Sequence, residues 1–239
     1  MITKLVLCYE LALDKLDKSR AFIKQALNLE NLDCVHVSEL EDFDFQDTHL
    51  YSFHLDLNKE LETHSHISTW AQKNNVDQLN PFYHDKNIFD DKYLFAQFCL
   101  SSAIKHPQTK LVTEFEALSS GCVKPRHGTE NKDNDDYSDE LLKKILSYDD
   151  ALWQEKIEIK EEYKVLFLNG ALFADKDLAD ELQAEIKSFI DKLMQYFKQQ
   201  SMLEPRIFSI DILENQNSGI YFLEINLRPG ALYRFSHLI

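Results

Sequence analysis

Acidic and amide side chains occur in two neighbouring apolar segments near the carboxyl end of the sequence. Asp211 lies within Ile207–Leu213, whereas Glu224 and Asn226 lie in and just beyond Ile220–Ile225. The residues between the two segments are rich in Asn, Ser and Gly, a composition that is typical of a turn. We therefore predict two antiparallel strands that carry these three polar side chains.

The spacing of these polar residues predicts a shared ligand. Side chains alternate between the two faces of a strand, so Glu224 and Asn226 should point the same way while Leu223 and Ile225 face the core. Carboxylates close to apolar packing are costly unless they share a partner. Oxygens from Asp, Glu and Asn form a hard ligand set that suits Mg²⁺. A hairpin with solvent-facing acids is the competing interpretation of the same residues.

Basic residues elsewhere in the sequence are candidates for holding phosphate. Lys124 ends an apolar strand-like segment and opens into a loop that contains Arg126, an arrangement that fits a phosphate grip. Lys92 falls in the first turn of a predicted helix, where a cation is slightly disfavoured unless an anion lies nearby. An ordinary surface lysine is the alternative interpretation. Arg228, with the Pro-Gly pair after it, places a fixed cation directly beyond the acidic strand.

The first third of the chain alternates strand and helix patterns, which is typical of a small α/β lobe. The predicted strands and helices of this lobe are Leu5–Tyr9, Leu16–Leu27, Cys34–Val37, Leu50–Leu55 and Leu57–Ala71, with a loop at Glu39–Asp47. No glycine-rich turn follows the first strand, so the lobe lacks a dinucleotide fingerprint. The His64-Ser65-His66 segment is expected on a helix surface, because no second His or Cys pair accompanies it at ligand spacing.

The remaining patterns mix helices with further strands. Helices are predicted at Asp91–Ala103, Leu141–Ser147 and Asp177–Gln200, and strands at Gly121–Lys124, Leu152–Ile159 and Tyr163–Asn169. Asp90 is the expected N-cap of the first of these helices. In the longest helix, Leu182, Ile186 and Phe189 recur at helical spacing, which predicts core packing rather than a cofactor site.

Charge and composition limit the partners that the protein can have. The 239-residue chain has a net charge of −15, which disfavours nucleic acids and anionic membrane surfaces as ligands. No apolar stretch approaches the roughly 18 residues of a membrane span, and no signal-peptide core follows Met1. The four cysteines show no CxxC spacing, which is typical of reduced thiols. We therefore expect a soluble, cytoplasmic protein.

Several short motifs occur in an order that resembles the ATP-grasp superfamily. The resemblance covers most of the chain, from Asn80 onward, and the last motif is the most specific. The motifs are Asn80-Pro81, Asp91-Lys92, Pro107-Gln108-Thr109, Val123-Lys124-Pro125-Arg126, Gln154-Glu155-Lys156-Ile157, Glu162-Tyr163-Lys164-Val165, Ile210-Asp211 and Glu224-Ile225-Asn226-Leu227-Arg228-Pro229-Gly230. The resemblance implies an α+β fold in which two α+β lobes hold ATP between them.

The resemblance also implies a division of the chain. A shortened N-terminal α/β lobe would span residues 1–80, and an ATP-grasp domain would span residues 81–239. Within that domain, a small lid lobe would cover about 107–153 and a catalytic lobe about 154–239. Two features differ from the family pattern: the first lobe is short, and the sequence ends close to the last motif. They imply that the substrate pocket is open, is completed in a homodimer, or is built for a peptide.

Members of this superfamily hold the ATP phosphates with lysines and cover them with a flexible flap. By the resemblance, Lys92 and Lys124 would hold the phosphates. The flap would begin at Arg126 and include Gly128 and Thr129. A single glycine stands here where the family usually has several, so fewer backbone amides would reach the phosphates.

The nucleoside part of ATP would bind at the hinge between the lobes. The resemblance implies that Gln154, Glu155 and the backbone of Lys156 and Ile157 meet the adenine edge. Glu162 would accept hydrogen bonds from the ribose hydroxyls.

The same resemblance implies a metal site and a reaction. Asp211, Glu224 and Asn226 would bind Mg²⁺, or Mn²⁺ in its place, and Arg228 and Lys124 would stabilise the transferred phosphoryl group. The expected reaction is ATP-dependent: a carboxylate is activated as an acyl phosphate and joined to an amine of an amino acid or peptide. The alternatives are an ATP-grasp phosphotransferase and a degenerate, non-catalytic ATP-binding scaffold.

Overall fold

The computed structural model describes residues 2, 4–9, 16–53, 60–83, 88–112, 121–127, 135–136, 151–227 and 232–238. Within these residues the strands form three four-stranded sheets, and the fold class is α+β, as predicted. None of the helices in the described ranges is long and apolar enough to cross a membrane.

The first sheet is parallel and belongs to the N-terminal α/β lobe. Its strands, in chain order, are β1 (Lys4–Tyr9), β2 (Asn31–His36), β3 (His49–Ser52) and β4 (Asp77–Gln78), and their order in the sheet is β2-β1-β3-β4. Helix α1 (Leu16–Ala26) connects β1 to β2, and α2 (Glu60–Lys73) precedes β4. The central residues of β1 are all apolar, because a strand in a parallel sheet is buried on both of its faces. Val37–Asp42 forms a 3₁₀ helix, so the prediction of a loop from Glu39 was wrong over its first part.

His64 of α2 is fully buried, which contradicts the prediction of a helix-surface histidine. Its Nε2 lies 2.7 Å from the carbonyl oxygen of Asn80, and its ring packs edge-on against Phe82. The histidine therefore stabilises the junction where the first lobe ends.

Helix α3 (Lys92–Ser101) follows this junction, and its N-cap is Asp91 rather than the predicted Asp90. The Asp91 Oδ1 accepts hydrogen bonds from the backbone N–H groups of Tyr93 and Leu94, at 2.9 and 3.0 Å. Two adjacent aspartates satisfy the N-cap preference equally well, so the sequence alone does not distinguish them.

The second sheet is antiparallel and small. It contains β5 (Thr109–Leu111), β6 (Gly121–Pro125), β7 (Asp135–Asp136) and β8 (Ala151–Glu155), in the order β5-β8-β6-β7. The strand predicted at Leu152–Ile159 ends at Glu155 instead, and Ile159 begins the next strand. The helix predicted at Leu141–Ser147 lies outside the described residues.

The third sheet is antiparallel and carries the predicted strand pair. Its strands are β9 (Ile159–Leu168), β10 (Ala171–Ala174), β11 (Ile207–Asn215) and β12 (Ile220–Asn226), in the order β10-β9-β11-β12. Helix α4 (Asp180–Gln199) covers one face. There Phe189 of α4 stacks on Phe222 of β12 at 4.4 Å between ring centroids.

The opposite face of the third sheet divides into an apolar and a polar half. Leu166, Leu168 and Ile207 are buried against the N-terminal lobe and against a 3₁₀ helix at Leu232–Leu238. Further along the same face, alternation along β9 and β11 brings charged side chains to the surface. The apolar half thus fixes the sheet against the first lobe, and the polar half remains open.

Candidate active site

A cavity of about 720 Å³ lies over the polar half of the third sheet. The first turn of α3, the ends of β6 and β8, and strands β9, β11 and β12 all contribute to its wall. The predicted site residues that line it are Lys92, Lys124, Gln154, Glu155, Lys156, Ile157, Glu162, Asp211 and Glu224. Residues far apart in the sequence therefore converge on one cavity.

The three predicted metal ligands lie on one face of β11 and β12. Asp211 is opposite Glu224 in the strand register, and Ser209 is opposite Asn226. The Nδ2 of Asn226 donates a hydrogen bond to Oε1 of Glu224 at 3.1 Å, so these two side chains point the same way. Residues of α4 pack behind β11 and β12 and support this arrangement.

A β-bulge in β12 changes one predicted orientation. The register shifts between Asp211 and Ile212, which leaves Leu223 as an extra residue. Ile225 is buried in the core as predicted, but Leu223 lines the cavity. Strict alternation was the wrong rule here, because a bulge interrupts it.

The Asp211 carboxylate is crowded and partly neutralised. Its Oδ1 lies 3.0 Å from the Nζ of Lys164 on the adjacent strand β9. Burial raises the pKa of Asp211 to about 6; Lys164 opposes this shift, and the neighbouring Glu224 carboxylate adds to it. Two carboxylates in contact repel each other, and a cation between them would remove that repulsion.

These residues fit a divalent cation that is bound by oxygen ligands. No cluster of three His, Cys, Asp or Glu side chains that could hold a metal exists within the described parts of the chain. The candidate site instead combines the Asp211 and Glu224 carboxylates with the amide oxygen of Asn226. Such a set leaves positions for water and phosphate oxygens, as Mg²⁺ prefers.

Two lysines lie on the other side of the cavity from Lys164. Lys124 is part of β6, and Lys92 is the first residue of α3; both line the cavity. Burial lowers the pKa of the Lys92 ammonium, with the Glu224 carboxylate opposing the shift and Lys124 adding to it. The two cations therefore lie close to each other and to the acidic pair, where an anion of high charge would be stabilised.

The segment between the second and third sheets forms another part of the cavity wall. The Glu155 N–H donates to the carbonyl of Gln108 at 2.8 Å, and the Gln108 N–H donates to the Glu155 Oε2 at 3.1 Å. The Nε2 of Gln154 donates to the Thr109 hydroxyl at 3.1 Å. These bonds fix the backbone that leads into Lys156 and Ile157, and both of these residues line the cavity.

Arg126 does not lie in the cavity wall with the predicted phosphate-binding residues. Its guanidinium forms hydrogen bonds of 2.7–3.0 Å to both carboxylate oxygens of Asp91, and it lies 5.6 Å above the ring of Tyr93. Burial opposes ionisation of Asp91, but the hydrogen bonds from Arg126 and from the Leu94 backbone outweigh it and lower the Asp91 pKa. In this structure Arg126 thus joins the second sheet to α3.

Gly128, Thr129 and Arg228 lie outside the described residues. Their predicted roles in the flap and at the transferred phosphoryl group stay predictions.

Replacement of Asp91 is expected to destabilise the protein through two separable effects. Asp91→Ala removes both the N-cap and the Arg126 ion pair and should lower the free energy of unfolding by about 2–3 kcal/mol. Asp91→Asn keeps the cap oxygen and should cost roughly half as much. Urea unfolding of both variants tests this: equal losses would show that the N-cap contributes nothing, and no loss in Asp91→Asn would show that the ion pair contributes nothing.

Solved structures share this architecture although their sequences differ. D-cycloserine synthetase DcsG superimposes with a TM-score of 0.66 at 12% identity, covering 98% of this chain and 97% of that one. The chain has the ATP-grasp fold. No protein-family model matches it, and no curated protein is similar to it in sequence.

Two further ATP-grasp neighbours have ligands in their structures. N5-carboxyaminoimidazole synthetase from Staphylococcus aureus, complexed with ADP, matches with a TM-score of 0.64 at 13% identity, over 99% of this chain and 76% of that one. Macrocyclase MdnC from Microcystis aeruginosa MRC, bound with precursor peptide MdnA, matches with a TM-score of 0.60 at 13% identity, over 98% of both chains. By name, these two neighbours are a synthetase and a macrocyclase.

Three cations that line the cavity, Lys164, Lys176 and Arg234, were not predicted as site residues. Lys164 carries a signal that could have placed it, because it stands two residues after Glu162 and therefore shares its strand face. Arg234 carries none, because its position depends on how the 3₁₀ helix beyond β12 packs against the first lobe.

Proposed function

We propose that this chain is an ATP- and Mg²⁺-dependent ligase that activates a carboxylate as an acyl phosphate and joins it to an amine. The observation that carries the proposal is the placement of the acidic pair Asp211 and Glu224 beside Lys92 and Lys124 in one cavity. The ATP-grasp fold and the reaction class of its neighbours support it. The substrates are small-molecule or peptide carboxylates and amines.

The reaction has two steps. A carboxylate oxygen attacks the γ-phosphorus of ATP, and the bond to the ADP oxygen breaks. The amine nitrogen then attacks the acyl carbon, the carbon–oxygen bond to phosphate breaks, and the amine releases a proton to solvent. Both steps need positioning and charge neutralisation more than covalent catalysis by the protein.

Each part of the cavity wall has a role in this proposal. Lys92 and Lys124 bind the phosphates, and the backbone of Lys156 and Ile157 binds adenine next to the fixed Glu155. Mg²⁺ held by Asp211, Glu224 and Asn226 would neutralise charge on the β- and γ-phosphates. Glu162 binds the ribose, while Gly128, Thr129 and Arg228 keep their proposed flap and catalytic roles.

Removal of the Lys124 ammonium is expected to weaken ATP binding. Lys124→Gln should raise the dissociation constant of Mg–ATP about tenfold, because one charge-assisted contact to a phosphate is lost. Isothermal titration calorimetry measures this. The matched control is Lys110→Gln, which removes an exposed cation from the same sheet and should leave the affinity unchanged.

Hydroxylamine trapping tests the type of reaction. With ATP, Mg²⁺ and a panel of amino acids and dipeptides, a ligase should form a hydroxamate, because hydroxylamine attacks the acyl phosphate. ADP formation without hydroxamate from any carboxylate would instead identify a phosphotransferase. Absence of ATP binding would refute both.

A further inference from the structure

Arg234 is held at the cavity by the residues on either side of it. It belongs to the 3₁₀ helix Leu232–Leu238, in which Leu232 and Phe235 are fully buried. The Phe235 ring packs against Phe22 of α1 with 6.0 Å between centroids, and the helix also contacts β10. The backbone of Arg234 is thereby anchored to the core, and its exposed side chain lines the cavity.

Two carboxylates and a lysine lie side by side across the third sheet. Glu224 on β12 lies opposite Asp211 on β11, which pairs with Lys164 on β9. Beyond Lys164, β10 forms the edge of the sheet, and the helix that carries Arg234 lies against this edge. Lys92 and Lys124 lie beyond the opposite end of this row, near Glu224.

The cavity therefore has a cationic region on each side of the acidic pair. The region with Lys92 and Lys124 suffices for the phosphates of ATP. Arg234 lies against the β10 edge, on the other side of the acidic pair from these lysines, where a substrate group could reach it.

The Arg234 guanidinium makes no hydrogen bond or ion pair with any residue in the described part of the chain. The neighbouring cations differ in this respect, because Lys164 pairs with Asp211 and Lys176 pairs with Glu161. In a protein of net charge −15, acidic partners for an arginine are abundant. Arg234 lines the cavity without an acidic partner among the residues that the structure describes.

We infer that Arg234 binds a substrate carboxylate other than the one that is activated. The inference rests on the proposed function of this cavity. A guanidinium presents a planar pair of N–H donors that matches a carboxylate, and the anchored backbone reduces the entropy lost on binding. The substrate class is thus an acid with a second carboxylate, or an amine that carries one, such as an amino acid or the end of a peptide.

A binding experiment tests the inference without any turnover. Glutarate and butyrate, which differ by one carboxylate, are titrated calorimetrically into the protein in the presence of Mg–ADP. Glutarate should bind at least tenfold more tightly than butyrate, and Arg234→Gln should abolish that preference. Lys176→Gln, which removes a cavity cation that is already paired, should keep it. Equal affinity for the two acids in the unaltered protein, or an unchanged preference in Arg234→Gln, would overturn the inference.

Turnover identifies which substrate carries the carboxylate. With hydroxylamine as the amine, a preference for glutarate over butyrate that Arg234→Gln removes assigns the carboxylate to the acid. With a fixed acid, a preference for glycine over glycinamide that the same variant removes assigns it to the amine. Loss of all turnover would refute the proposed ligase, whereas the glutarate titration would still decide the role of Arg234.

Discussion

Replacing Asp211 by asparagine is expected to abolish ATP turnover and, at the same time, to stabilise the metal-free protein. The carboxylate lies between Lys164 and Glu224, where it provides one of the proposed Mg²⁺ ligands. An amide at this position is a weaker ligand, so the turnover rate should fall at least a hundredfold. The stability should change in the opposite direction, because the ionised form is crowded in the folded protein.

The pH dependence of this stabilisation follows from the pKa of Asp211. Burial raises the pKa from 3.8 in the unfolded chain to about 6 in the folded protein, so the folded state holds the proton more tightly. The penalty for ionisation is absent below about pH 4, grows as the pH rises to about 6, and is complete above it. Asp211→Asn should therefore match the unaltered protein at pH 4 and exceed its stability at pH 7.5, by about 1 kcal/mol.

Thermal unfolding in EDTA at the two pH values measures the stability effect, and ADP release with saturating Mg²⁺ measures the activity. Asp191→Asn is the matched control, since it changes an exposed aspartate of α4 and should alter neither quantity. Retained turnover in Asp211→Asn would show that the metal assignment is wrong. A lower stability than the unaltered protein at pH 7.5 would show that the Lys164 ion pair outweighs the crowding.

Local sequence rules predicted the acidic strand pair because they depend on neighbouring residues alone. Two apolar segments around a polar turn predicted β11 and β12, and alternation placed Glu224 and Asn226 on one face. The same rule failed for Leu223, because a bulge arises from how β12 fits β11 and leaves no mark in the composition of either strand.

The features that the sequence did not predict depend on contacts between residues that are far apart in the chain. Arg126 and Asp91 are 35 positions apart, and their ion pair exists only because β6 ends beside the first turn of α3. Arg126 is therefore bound to Asp91 while the nearby Lys124 lines the cavity, although both residues were predicted to bind ATP. Arg234 depends in the same way on the packing of Phe235 against α1.

Removal of the Asn80 side chain is expected to have the largest effect on stability. The fully buried amide connects the first lobe to the acidic strand: its Oδ1 accepts from the Ser52 N–H at 3.0 Å, and its Nδ2 donates to the carbonyls of Ser52 and Leu227 at 2.9 and 3.3 Å. Asn80→Ala leaves three buried backbone groups without this partner. The free energy of unfolding should fall by about 3–5 kcal/mol, which corresponds to a melting temperature roughly 10 °C lower.

The same variant should also weaken ATP binding while the protein is still folded. Leu227 directly follows Asn226, so the bond from Asn80 fixes the end of the strand that carries two of the proposed metal ligands. At a temperature where circular dichroism shows native structure, Asn80→Ala should therefore need more Mg²⁺ for half-maximal ATP binding. His64→Ala should lose stability as well, because the fully buried His64 contacts the Asn80 carbonyl at 2.7 Å.

A matched control separates this role from the general cost of losing an asparagine. Asn74 is an exposed residue directly after α2, and its Nδ2 donates one hydrogen bond to the Trp70 carbonyl at 2.9 Å. Asn74→Ala should cost less than about 1 kcal/mol and leave the Mg²⁺ requirement unchanged. If Asn80→Ala were destabilised but kept the normal Mg²⁺ requirement, Asn80 would hold the lobes together without positioning Asn226. The strand end would then be fixed by α4 and by its pairing with β11 alone.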